Sequence, residues 1–175
     1  LKIILSRLFL PLKGNVQFGG QINGVGAPKL LVDGSITSSS SNVTNFSTLC
    51  ASEDINISNS FSADNICTLG NFTSFGSGVS IKTVTAIGTA TVDSGSNITT
   101  LNAKGDVFLG NVNNKVSVVN TEGNVTSTAN SSVSSNIINA NGNVDIRAGG
   151  GSTVINSGGN VTIRANSNGL NSVNA

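Results

Sequence analysis

A short phrase returns along this chain about every 18 residues, and that recurrence limits the fold more than any other feature. It is plainest near the C-terminal end: GNVTS at 123, GNVDI at 142 and GNVTI at 159, with GDVFL at 105. Followed backwards it becomes GTATV at 88, GNFTS at 70, EDINI at 53, GSITS at 34 and GNVQF at 14. The nine anchors are Gly14, Gly34, Glu53, Gly70, Gly88, Gly105, Gly123, Gly142 and Gly159, spaced 20, 19, 17, 18, 17, 18, 19 and 17 residues apart. That period is too short for a helical repeat and too long for a plain two-residue hairpin unit.

Aligned on the anchors, the sequence falls into columns. Two residues on stand Val16, Ile36, Ile55, Phe72, Ala90, Val107, Val125, Val144 and Val161, all apolar. Four residues before the next anchor stand Leu30, Leu49, Ile66, Val84, Leu101, Val119, Ile138 and Ile155, with Leu10 and Val173 extending the column. Four after the anchor, six of nine residues are apolar, against Ser38, Ser74 and Ser127. The residues between are mostly Asn, Asp, Ser and Thr, so each anchor opens a strand with period-two alternation. One coil of a parallel β-helix fits this unit. At about 3.3 Å per residue it travels roughly 60 Å, once around a narrow prism, and coils stack about 4.8 Å apart. The expected fold is an all-β solenoid of about nine to ten coils. Residues 14–175 form the repeat domain and residues 1–13 an apolar edge strand or cap.

The remaining columns account for the unusual composition. Three before each anchor stand Leu31, Cys50, Cys67, Thr85, Asn102, Asn120, Asn139 and Asn156, followed by Asn174. Stacked asparagines can bond amide to amide from coil to coil, so Asn102, Asn120, Asn139 and Asn156 are expected to form a ladder. The next column is small: Val32, Ala51, Thr68, Ala86, Ala103, Thr121, Ala140, Ser157 and Ala175. It allows a tight turn against the core. Each anchor glycine reads as a corner residue of a coil. Cys50 and Cys67 share one column in neighbouring coils, close enough for a disulfide in an oxidising compartment. Two buried thiols standing in for ladder asparagines are the equal alternative.

Several kinds of chemistry are excluded or disfavoured. The chain has no histidine, so it holds no histidine triad, histidine metal ligand or neutral-pH switch. Nine basic and eight acidic residues leave a formal charge of +1, with no electrostatic footprint for nucleic acid. Two cysteines alone do not make a zinc site. Glu53 and Asp54 are adjacent, and neighbours on a strand point to opposite faces. Asp54 and Asp106 share a column but lie about 14 Å apart, beyond the range of a glycosidase pair. Asp33, Asp64, Asp93, Glu122 and Asp145 read as solubilising charge. Arg147 and Arg164 share a column and read as a solvated edge pair. The N-x-[ST] sequons at Asn42, Asn45, Asn56, Asn71, Asn97, Asn124, Asn130 and Asn160 follow from composition. Three after the anchor stand Thr37, Thr73, Thr91, Thr126 and Thr162, an outward threonine column of the kind an ice-binding surface uses. Gln17, Asn56, Phe108 and Asp145 interrupt it. No phosphate-loop motif is present, and no cofactor is expected.

At the N-terminus, LKIILSRLFLPL is apolar but carries Lys2 and Arg7. It is too short to span a membrane as a helix and makes a poor signal peptide. Leu1 in place of Met points to a fragment or a processed chain. No run of 18 apolar residues occurs anywhere, so no transmembrane helix is expected.

Residues 142–169, GNVDIRAGGGSTVINSGGNVTIRANSNG, resemble the repeats of filamentous-haemagglutinin-type adhesins and related secreted bacterial β-solenoids. The likeness lies in the strand-opening G-N/D-V/I, the strand ending in Ala and the Asn-Ser-Gly turn. It is clear over 105–175 and in register, though weaker, from 14 to 104. Bactofilins, polymer-forming bacterial cytoskeletal proteins, resemble the chain in coil length, but usually carry more charge than the 10% found here. The resemblance implies a non-enzymatic structural protein at a bacterial surface or outside the cell, a fibre subunit or an adhesin stalk. Its partners would be further copies of itself, a surface glycan or a host receptor. End-to-end stacking into a homo-oligomer or filament would use uncapped edges at Leu10, Leu12, Val173 and Ala175. The alternatives are a module binding ice or glycan through the Thr/Asn face, and an intracellular bactofilin-like polymer.

Overall fold

The computed structural model describes residues 11–20, 22–23, 28–39, 43–110, 115–128, 135–146, 153–164 and 170–175. The N-terminal part carries β1 (Leu12–Lys13), β2 (Val16–Phe18), β3 (Ile22–Asn23), β4 (Lys29–Asp33), β5 (Ile36–Ser38) and β6 (Val43–Ala51). Next come β7 (Ile55–Ser58), β8 (Phe61–Thr68), β9 (Phe72–Phe75), β10 (Val79–Ala86), β11 (Ala90–Val92), β12 (Asn97–Ala103) and β13 (Val107–Leu109). The rest are β14 (Lys115–Thr121), β15 (Val125–Ser127), β16 (Ile137–Ala140), β17 (Val144–Ile146), β18 (Thr153–Ser157), β19 (Val161–Ile163) and β20 (Leu170–Asn174). There is no helix among the described residues.

These strands form two sheets. One runs β1-β4-β6-β8-β10-β12-β14-β16-β18-β20, with β3 also paired to β6; the other runs β2-β5-β7-β9-β11-β13-β15-β17-β19. Every pairing is parallel. Each coil gives one strand to each sheet, so the chain is a parallel β-solenoid. It makes about seven full turns of about 18 residues, slightly fewer than the nine to ten expected. The anchors count strand openings, whereas a full turn needs a complete strand in both sheets. Both are present from the β6–β7 turn to the β18–β19 turn; before that, β1 is two residues long and β3 and β4 are separate pieces, while β20 adds to one sheet only.

The columns of the sequence are the registers of the sheets. Leu49 pairs with Ile66, Ile66 with Val84, Val84 with Leu101 and Leu101 with Val119. In the second sheet Ile36 pairs with Ile55, Ile55 with Phe72, Phe72 with Ala90 and Ala90 with Val107. These two rows face each other across a narrow interior and are fully excluded from solvent at Ile36, Leu49, Ile55, Phe72, Val84, Ala90 and Leu101. Ser38, Ser74 and Ser127, the exceptions in the third apolar column, are buried as well. The Ser74 and Ser96 hydroxyls meet at 2.6 Å, so that pair is satisfied inside the core. At the N-terminal end Phe18, Phe46 and Phe61 fill the interior, with ring centroids 5.6 and 6.4 Å apart.

Strands β8, β10, β12 and β14 of the longer sheet each break alternation once. In β12, Ile98 and Leu101 point inward with both Thr99 and Thr100 between them facing out. The paired register of β10 with β12 skips Lys82 and Thr99 at this place, so the sheet is creased along that line. Of the 1–13 segment only residues 11–13 are described, and Leu12–Lys13 pairs with β4 at Val32 and Asp33.

Leu101 sits mid-stack with coils on both sides. Leu101→Ala is expected to lower unfolding stability by about 2–5 kcal/mol in chemical denaturation, because the sheet cannot collapse around the cavity without shifting its neighbours' register.

Candidate functional site

The side chains that repeat along the axis form the site, and three sets of contacts hold them. The first is the asparagine ladder. The Nδ2 of Asn120 donates to Oδ1 of Asn102 at 2.8 Å, Asn139 to Asn120 at 2.8 Å and Asn156 to Asn139 at 2.7 Å. Asn174 donates to Asn156 at 2.8 Å and adds a fifth residue to the four expected. Every bond runs in the same direction, each amide donating to the coil before it.

The second set is a ladder that the sequence columns left unassigned. It lies one residue after the anchor and joins a side-chain oxygen to the backbone of the next coil. Asn15 Oδ1 accepts from the Ser35 N–H at 2.9 Å, Asp54 from Asn71 at 2.7 Å and Asn71 from Thr89 at 2.9 Å. Asp106 accepts from Asn124 at 2.7 Å, Asn124 from Asn143 at 2.8 Å and Asn143 from Asn160 at 2.8 Å. These N–H groups lie at the corners, where the strands have stopped and the regular sheet ladder does not reach. The signal was present as the Asn or Asp after every anchor except Gly34 and Gly88, which Ser35 and Thr89 follow. Asp54 and Asp106 therefore serve as backbone acceptors. Glu53 and Asp54 lie in the corner between β6 and β7 and not on a strand, so the opposite-faces expectation does not apply to them. Glu53 instead accepts from the Ser35 hydroxyl at 2.8 Å.

The third set explains the glycines. Only Gly14 (φ 92°) and Gly34 (φ 150°) among the anchors use left-handed backbone. The others are corner residues, as expected, and there the reason for glycine is proximity. A Cβ on Gly123 would lie 2.5 Å from Asp106 Oδ1 and 2.9 Å from Asp106 N; one on Gly88 would lie 2.4 Å from Asn71 Oδ1. The acceptor of the second ladder occupies the space that a side chain would need. Hydroxyls in the small column complete the corner: Thr121 Oγ1 donates to the Gly105 carbonyl at 2.6 Å and accepts from the Gly123 N–H at 3.0 Å. Thr68 and Ser157 make the equivalent bonds.

Cys50 and Cys67 are joined as a disulfide, with Cα atoms 4.6 Å apart and both residues half-buried. Thr37, Thr73, Thr91, Thr126 and Thr162 lie in one register row of the second sheet, partly or fully exposed. Asn56, Phe108 and Asp145 share that row, so the longest unbroken threonine run is two, Thr73 and Thr91. Leu12, Val173 and Ala175 are exposed on or beside edge strands, and Leu10 lies outside the described residues. Arg147 and the sequons at Asn42 and Asn130 also lie outside them. Arg164 reaches back to Asp145 at 2.6 Å.

Two shallow grooves follow the axis. One, of about 540 Å³, lies along the crease between Ser62, Ser80 and Asn97 on one side and Asp64, Lys82 and Thr99 on the other. Lys82 and Asp64 are bonded across adjacent coils at 2.6 Å. The other groove follows the asparagine ladder, in stretches of about 400 and 390 Å³ that share Asn139 and Asn141. Among the described residues no three His, Cys, Asp or Glu side chains converge as a metal site, and no helix is long and apolar enough to cross a membrane. No family model matches the chain, and no curated protein or solved structure matches it either.

Gly123→Ala is expected to cost about 1–3 kcal/mol in thermal or chemical unfolding, since the methyl group meets the Asp106 acceptor. Asn120→Ala removes one donor and one acceptor from the middle of the ladder and is expected to cost about 1–3 kcal/mol. Thr126→Ala, on the exposed row of the second sheet, should stay within about 0.5 kcal/mol of the parent and serves as the control.

Proposed function

We propose that this chain is a non-enzymatic structural β-solenoid of an extracellular or cell-surface fibre, either a fibre subunit or an adhesin stalk. The observation that carries this reading is uniformity along the axis. The corner ladder recurs along the stack and the asparagine ladder runs from Asn102 to Asn174, and the polar side chains spent on them are engaged in holding coils together. A stack of this kind is stiff along one direction, which suits a spacer or fibre. The resemblance of residues 142–169 to filamentous-haemagglutinin-type repeats supports the same reading. The Cys50–Cys67 disulfide supports an oxidising setting over a bactofilin-like intracellular polymer. The broken threonine row lends little to an ice-binding role.

End-to-end self-association is part of the same proposal. Strand β20 continues the apolar column with Val173 and the amide ladder with Asn174. A strand added there would continue both columns by β-augmentation. Negative-stain electron microscopy of the purified chain at neutral pH is the test. The expected result is filaments one solenoid wide that lengthen with protein concentration; discrete short particles at every concentration would overturn self-stacking. Val173→Asp, in the apolar column beside Ile155, should abolish filaments while the β signal of the circular dichroism spectrum persists, because it places an unpaired charge where a further coil would pack and leaves the earlier coils intact.

A further inference from the structure

The column that becomes the asparagine ladder begins without asparagine. It passes through Leu31, Cys50, Cys67 and Thr85 before the first amide-to-amide bond, between Asn102 and Asn120. The β6–β8 junction in this stretch is also irregular: its register shifts between Val43 and Phe46, whereas β8–β10 and β10–β12 keep theirs. The disulfide joins these same two strands at paired positions. Its Cα separation of 4.6 Å is the ordinary sheet spacing, so neither coil has to move to form it.

We propose that the Cys50–Cys67 disulfide is a reducible clamp, a covalent rung that fixes the β6–β8 junction where amide rungs are missing. A small dithiol is a sufficient reductant. It gives two electrons and two protons, the S–S bond breaks to leave two thiols, and the dithiol closes to its own cyclic disulfide. Both cysteines are half-buried, so a small thiol reaches the bond. In a stack whose coils touch only their neighbours, weakening one junction loosens the chain locally. Reduction therefore frees the coils on the N-terminal side of β8 from the rest of the stack, which the asparagine ladder holds from β12 onward. The clamp does not depend on the fibre reading.

Hydrogen exchange read by mass spectrometry on the full chain, with and without a dithiol, tests this. Alkylation of the untreated chain should label neither cysteine; two labels would overturn the proposal. On complete reduction, amides of β4, β6 and β8 should exchange roughly tenfold faster or more, while those of β12 to β16 stay unchanged. Unchanged exchange in β4–β8, or equal acceleration along the whole stack, would overturn it. Cys50→Ser/Cys67→Ser should behave as the reduced chain without reductant. Cys50→Asn/Cys67→Asn supplies a hydrogen-bonded rung at the same place and should restore protection that no dithiol removes. If it does not, the disulfide is not standing in for a rung.

Discussion

Parallel hydrogen bonding between successive coils, at one register maintained along the molecule, is the constraint on which the rest of the structure depends. No single coil buries its inward side chains. Leu101 is excluded from water because Val84 and Val119 lie on either side of it and because the opposite sheet closes the interior. Stability is thus a property of junctions, each worth little alone and repeated along the axis.

That constraint governs composition at every position of the coil. A corner residue lies against the corner of the coil before it, so glycine is needed where the neighbour's acceptor fills the side-chain space. Corner N–H groups lose their strand partners, so Asn or Asp supplies an oxygen from the preceding coil. Like charges in one column would face each other about 4.8 Å apart and repel. The ion pairs on the solenoid show the tolerated solution, opposite charges in adjacent coils, as in Asp64 with Lys82 and Asp145 with Arg164. Sparse charge and abundant Asn, Ser, Thr and Gly are what a stacked coil requires.

The same uniformity bears on function. A catalytic site needs a few residues that differ from their surroundings and converge. Here the acidic side chains best placed to attract attention, Asp54 and Asp106, are spent on backbone amides. The repetition is broken at a few places. Glu53 replaces an anchor glycine, Phe108 and Asp145 break the threonine row, and a disulfide stands in the ladder column between Cys50 and Cys67. The last of these joins β6 to β8, whereas the amide rungs run from β12 to β20.

Much of this was legible in the sequence because the fold is periodic. Aligning the anchors placed Leu49 over Ile66 and Asn120 over Asn139 without coordinates, since in a parallel stack the repeat spacing is the register. The amides of Asn102, Asn120, Asn139 and Asn156 followed, because identical carboxamides at strand spacing have one obvious partner. What the columns could not supply is direction and distance across the coil. Whether Cys50 and Cys67 were bonded, and whether the corner glycines answered to φ or to a neighbour's oxygen, depended on how closely two backbones approach. The crease at Thr99 and Thr100 and the number of full turns depended on where each strand stops. Those are settled in three dimensions, by side chains of one coil competing for space with the backbone of the next, and a one-dimensional pattern carries no measure of that space.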